Sequence, residues 1–146
     1  MSRKVAVVPV RAPAWIVDDN PDDAKLTQLA FERLNPQFPT TIFGSGRNLV
    51  DHLNGIEAAL TTTALSVPCA VLLDLEMPEM HGFEVLKWLK KQPQFGAIPI
   101  IVVTNFADLP HLKHAYALGA RSYLLKPINS DVLRETLASL SISVFQ

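Results

Sequence analysis

The sequence predicts an α/β protein, a parallel sheet of five strands wrapped by five helices, and two observations predict it. Short apolar runs at Ala14–Val17, Ala70–Leu73, Ile98–Val103 and Tyr123–Leu125, with Thr40–Phe43 as a second strand, alternate with stretches of helical periodicity. That alternation is the mark of a parallel sheet with helical crossovers. Polar residues stand directly after four of the runs: Asp18 and Asp19, Asp74, Thr104 and Lys126. In such a sheet all strand C-terminal ends share one edge, where ligands bind. Three carboxylates, a hydroxyl and an ammonium are therefore expected in one crevice.

Each element has a local reason. After the first strand, Asn20 is placed to cap a helix, with Pro21 at its first position, running through about Leu34. Leu26, Ala30 and Leu34, with Leu29 between them, form its apolar stripe, and Asn35-Pro36 ends it. Beyond the second strand and Gly44-Ser45-Gly46, the residues Leu49, Leu53, Ile56 and Leu60 recur at the clearest helical spacing in the chain. A Thr-rich link, Thr61 to Val67, leads to the third strand and then to the loop Leu75 to Gly82.

A third helix is expected over Phe83–Gln92, with Lys87, Lys90 and Lys91 favouring its negative end. Pro99 is tolerable at the start of the fourth strand. A helix from about Asp108 to Leu118 stops at Gly119. The last helix is capped by Asn129 or Ser130 and turns Leu133, Leu137 and Leu140 inward.

The chain of 146 residues suits one domain with a proper core. Residues 1–13 read as an N-terminal extension and 14–146 as the domain. The extension superficially mimics a signal peptide, but Pro9 interrupts an apolar part of only about six residues. No stretch approaches the roughly 20 apolar residues of a membrane span. With 13 basic and 14 acidic residues, no basic excess drives direct nucleic-acid binding. Cys69 has no internal partner, so a cytoplasmic location and a buried, inert thiol are expected. His52, His81, His111 and His114 lack a metal-ligand context, and a solvated face is expected for His111 and His114.

Five pieces together resemble the receiver domains of two-component response regulators. They are Val17-Asp18-Asp19-Asn20, Leu73 to Pro78 with Gly82, Val103-Thr104, Gly119-Ala120, and Tyr123-Leu124-Leu125-Lys126-Pro127. The run from Asp18 to Asp23 is similar to stand-alone receivers of the cyanobacterial-phytochrome type. The resemblance implies a doubly wound, flavodoxin-like sheet of order 2-1-3-4-5. It also implies that Asp74 accepts a phosphoryl group from a sensor histidine kinase or a phosphotransfer protein.

The site chemistry agrees with that resemblance. A carboxylate can act as a covalent nucleophile. Two carboxylates about 4 Å apart repel by about 4 kcal/mol at an effective dielectric of 20. Asp18, Asp19 and Asp74 therefore need a counter-charge, which Mg²⁺ with its oxygen ligands supplies. The resemblance adds the backbone carbonyl of Glu76 as a further ligand and a cis bond between Lys126 and Pro127. Lys126 is expected to pair with Asp74 and then with phosphoryl oxygens, as a point charge matched to phosphate, and Thr104 to donate its hydroxyl. Asp22 and Asp23 are expected to be solvated first-turn acids.

For the phosphorylated form, the resemblance implies a switch through Thr104 and Tyr123. The altered face would be the fourth helix, fifth strand and fifth helix, with Tyr116 and Arg121, meeting an unknown downstream protein or a second copy. Asn105, Phe106 and Glu76 depart from the common pattern and bear on phosphoryl lifetime. Two other readings stand beside this one. The first is a phosphorylation-independent interaction module of the same fold. The second is a small Asp-nucleophile phosphatase, which Glu76, in place of a second Asp, argues against.

Overall fold

The structure, a computed structural model, describes residues 12–59, 67–77, 81–93, 95–105 and 108–144, without the side chains of 56–59. The extension up to residue 11, the link from Thr61 to Ser66, Leu60, the Ile56 side chain, Pro78 and Phe106 lie outside the described residues.

Five strands alternate with five helices. In chain order they are β1 (Ala14–Val17), α1 (Pro21–Leu34), β2 (Thr40–Phe43), α2 (Gly46–Ala59), β3 (Ala70–Asp74), α3 (Gly82–Lys91), β4 (Ile100–Thr104), α4 (Leu109–Ala117), β5 (Ser122–Leu125) and α5 (Ser130–Ser139). All pairings are parallel, and the order is β2-β1-β3-β4-β5. The central strands β1, β3 and β4 are buried at every position, as expected of a sheet covered on both faces.

Strand alternation sorts the core into two layers. Trp15, Val17, Val71, Leu73, Ile100 and Val102 point to one face, where they meet Leu49 and Leu53 of α2, Val85, Leu86 and Leu89 of α3, and Ala115 of α4. Ile16, Leu72, Ile101, Val103 and Leu124 point to the other, against Ala24, Ala30 and Phe31 of α1 and Leu133 and Leu137 of α5. Neighbours in sequence thus serve opposite layers.

The caps follow the expected chemistry. Asn20 accepts from the N–H groups of Asp22 and Asp23, Asp108 from that of His111, and Asn129 from those of Asp131 and Val132. Gly119 sits at φ +108°, a conformation that only glycine adopts without strain. Among the described residues, no helix is long and apolar enough to cross a membrane.

Three expectations are corrected. Leu26 is 51% exposed, and the buried stripe of α1 runs instead through Ala24, Thr27, Ala30, Phe31 and Leu34. The helix is turned about its axis so that the apolar Phe31 fills the layer. Cys69 is half-buried rather than buried, and its N–H donates to the carbonyl of Pro13. The fourth strand begins at Ile100 rather than Ile98, so Pro99 lies one residue before it, where its carbonyl accepts the N–H of Val71.

Candidate functional site

Register decides which strand ends meet. Val17 stands opposite Leu73, so Asp18 follows level with Asp74. Asp74 stands opposite Val103, and Thr104 opposite Leu125, so Thr104 lies one residue beyond Asp74 and Lys126 two. At about 3.3 Å per residue this is a short staircase along one edge.

Alternation then divides the group. Asp74 continues the face of Leu72, and Lys126 that of Leu124, toward α1 and α5. Thr104 continues the face of Val102, toward α3 and α4, and lines a cavity of about 200 Å³ with Leu75, Glu76, His81, Asp108 and His111. Tyr123 packs on that same side.

Asp18 and Asp74 are buried and Asp19 is exposed, and each offers a carboxylate oxygen within 4.8 Å of the others. Asp18 Oδ1 accepts the N–H of Asn20 at 3.0 Å. Asp74 Oδ1 accepts the N–H of Glu76 at 3.1 Å. Burial pushes the Asp74 carboxyl up from 3.8 to about 7. The Glu76 N–H and the Lys126 ammonium pull it down, but the Asp18 charge and the hydrogen bond between the two acids add to burial.

Lys126 is the only ammonium or guanidinium ion-paired with these acids among the described residues. Its Nζ lies 2.8 Å from Asp18 Oδ2, 2.9 Å from Asp23 Oδ2 and 3.6 Å from Asp74 Oδ2. Burial alone lowers its pKa, but hydrogen bonds to Asp18 and Asp23 and the charges of Asp74 and Asp18 raise it on balance. Its N–H donates to the Thr104 carbonyl, and the Lys126–Pro127 peptide is cis.

One ammonium facing several carboxylates leaves an anionic excess. Three hard oxygen donors, two buried and one open to solvent, fit a divalent cation that retains water on its outer side. The donor set suits Mg²⁺ and lacks the nitrogen or sulfur ligands of a zinc site.

Gly82 supports the loop from below. A Cβ there would stand against the carbonyl oxygen of Asp74 and 2.5 Å from the Cα of Leu75. The Gly82 N–H donates to the Leu75 carbonyl, so α3 begins in direct contact with the backbone of the Asp74 strand end.

The structure brings Asp18, Asp19, Asp74 and Lys126 together, with Thr104 and Glu76 at the adjoining cavity. Asp23 corrects the sequence reading: Asp22 is exposed as expected, but Asp23 reaches the Lys126 ammonium. Its signal lay in the cap, since Asn20 as N-cap and Pro21 as first helical residue place Asp23 on the helix end that overlooks Asp18. The stacking of the imidazoles has no local signal in the sequence. His111 and His114 are exposed as expected, yet their rings stack on Phe83 at centroid distances of 5.9 and 4.3 Å, with His81 on Phe83 at 5.3 Å.

Comparison with known proteins agrees with this geometry. The family model described as response regulator receiver domain matches residues 14–138. The probable methanogenesis regulatory protein FilR2 of Methanothrix harundinacea is 34% identical over 125 residues, 86% of this chain and 78% of FilR2. The polar-differentiation response regulator DivK of Brucella anthropi is 34% identical over 124 residues, 85% of this chain and 91% of DivK. Among solved structures, the bacteriophytochrome response regulator AtBRR superposes with a TM-score of 0.77 at 28% identity, over 92% of this chain and 96% of AtBRR.

Proposed function

The chain belongs to the response regulator receiver family, and on that premise we propose that Asp74 accepts a phosphoryl group from a phosphohistidine on a sensor histidine kinase or phosphotransfer protein. One observation carries the reading. Asp18, Asp19 and Asp74 offer oxygens within 4.8 Å of one another, with the buried Lys126 ammonium against two of them.

In the transfer, an Asp74 carboxylate oxygen forms a bond to phosphorus as the phosphorus–nitrogen bond of the donor breaks. The electron pair leaves with the imidazole. Asp74 must be ionised to attack, and Asp18 and Asp19 gather beside it the positive charge that favours ionisation. Asp18, Asp19, Asp74 and the Glu76 carbonyl would hold Mg²⁺, which when bound neutralises charge on the phosphoryl oxygens. Lys126 faces Asp74 to take up a further share of that charge. Little else is asked of the protein than position and charge.

The phosphoryl group brings about −1.5 to −2 charges, and Thr104 and Tyr123 carry its effect outward. Both sit on the α3–α4 side of the sheet, so a hydroxyl drawn toward the phosphoryl oxygens alters the packing on that side. The output face is that of α4, β5 and α5, where Leu109, Tyr116, Leu125 and Val132 are exposed. Phosphorylation biases a two-state equilibrium of that face toward a downstream partner or a second copy. The protein acts in the cytoplasm as a signalling module, promoting only its own phosphorylation and dephosphorylation.

Incubation with Mg²⁺ and acetyl phosphate, followed by mass spectrometry, tests the reading. One added phosphoryl mass is expected, absent in Asp74→Asn. Failure to form the adduct favours the phosphorylation-independent interaction module. Turnover of free phosphate esters favours the phosphatase.

A further inference from the structure

The Lys126 ammonium has three N–H donors, and the structure shows where two of them go. Asp18 and Asp23 take hydrogen bonds at 2.8 and 2.9 Å, whereas Asp74, at 3.6 Å, lies beyond hydrogen-bonding distance. The group named as acceptor is thus the loosest partner of the lysine that serves it.

Asp18 and Asp23 differ in one respect. Asp18 belongs to the carboxylate group suited to a divalent cation, and Asp23 does not. A carboxylate shared with a cation is a weaker acceptor for an ammonium. Asp23 is therefore the partner of Lys126 that is the same with or without the cation.

Its position is also fixed. The Asp23 N–H donates to Asn20 Oδ1 at 3.1 Å, and its carbonyl accepts the Thr27 hydroxyl at 3.2 Å. The Asn20 N–H donates in turn to Asp18 Oδ1. Asp18, Asn20, Asp23 and Lys126 thus close a ring of hydrogen bonds that ties the first turn of α1 to the end of β5.

We infer that Asp23 is a positioning residue: its carboxylate holds Lys126 toward α1 and sets how much of the ammonium a phosphoryl group on Asp74 can claim. The inference rests on the reading of Asp74 as acceptor. A phosphoryl group must compete with a fixed anion for the ammonium beside it. Asp23 therefore lowers the affinity of the site for the phosphorylated state and keeps Lys126 in place in the unphosphorylated one.

Asp23→Asn tests this, because it removes the charge and keeps the shape. Asp22→Asn is the control: it removes the same charge from the adjacent, exposed position and so reports the general field alone. Beryllofluoride, a phosphoryl mimic, is titrated with saturating Mg²⁺ by calorimetry. Asp23→Asn is expected to bind it about tenfold more tightly than Asp22→Asn, the scale of one hydrogen bond to a charged group. In the Mg²⁺-free protein, the ¹⁵N-resolved ammonium signal of Lys126 is expected to shift or vanish in Asp23→Asn, and to persist in Asp22→Asn and Asp23→Glu. Asp23→Ser gives the same two readouts should the Asn variant fold poorly.

Equal beryllofluoride affinity in Asp23→Asn and Asp22→Asn, or an unmoved Lys126 signal, overturns the inference. A wild-type protein that takes neither beryllofluoride nor a phosphoryl group overturns instead the reading of Asp74. The Mg²⁺-free ammonium signal still decides whether Asp23 holds Lys126.

Discussion

In the cation-free protein, Asp74→Asn is expected to gain stability over wild type as pH rises. The Asp74 side chain is buried, and burial pushes its carboxyl from 3.8 up to about 7. Between those values the native state keeps a proton that the unfolded chain has released. Stability is therefore fully present below pH 3.8 and lost as pH climbs through 7. Each pH unit costs about 1.4 kcal/mol, so the whole interval is worth about 4 kcal/mol as an upper bound. Part of the loss has already occurred at pH 5, which leaves about 2–3 kcal/mol between pH 5 and pH 8.

Asparagine cannot ionise, but its oxygen can still accept the Glu76 N–H that now bonds to Asp74. The stability difference between variant and wild type should grow by about 2–3 kcal/mol from pH 5 to pH 8. Titrating groups remote from Asp74 cancel in that comparison. Urea unfolding in EDTA at the two pH values measures it. Parallel stability changes in the two proteins would refute the reasoning, because Asp74 would then ionise as an ordinary surface acid. Added Mg²⁺ should reverse the ranking at pH 8, since a cation that needs the third carboxylate stabilises wild type by mass action and the variant far less.

Two further outcomes are expected. Lys126→Met removes the cation that Asp18 and Asp23 share. It should destabilise the Mg²⁺-free protein by about 3 kcal/mol at pH 8, the scale for stranding buried charge, and an unchanged urea midpoint would show that solvent, not Lys126, screens these acids. Gly82→Ala drives a methyl group against the backbone of Asp74 and Leu75. A loss of about 2–4 kcal/mol is expected, with weaker Mg²⁺ binding by calorimetry; full stability would mean that the loop can move aside freely.

The sequence made the sheet legible because its signals are local. Short apolar runs such as Ala14–Val17 and Ala70–Leu73 coincide with observed strands, and Asn20-Pro21 marks the start of α1. Those features depend on backbone chemistry within a few residues. The burial of α1 was less legible. Leu26 fits a helical stripe by spacing, yet it faces solvent while Phe31 is fully buried. Spacing gives a helix a face but does not say how that face is rotated against its neighbours.

By itself, then, the chain determined that carboxylates, a hydroxyl and an ammonium end four strands of a parallel sheet, because strand order of polarity is written residue by residue. Tertiary structure alone decided how they are shared out. Alternation and register send Asp74 and Lys126 toward α1 and Thr104 toward the α3–α4 cavity. They also bring Asp23, 103 residues away in sequence, onto Lys126. That contact needs the crossover that lays α1 on one particular face, and packing between distant segments fixes it where no local pattern can.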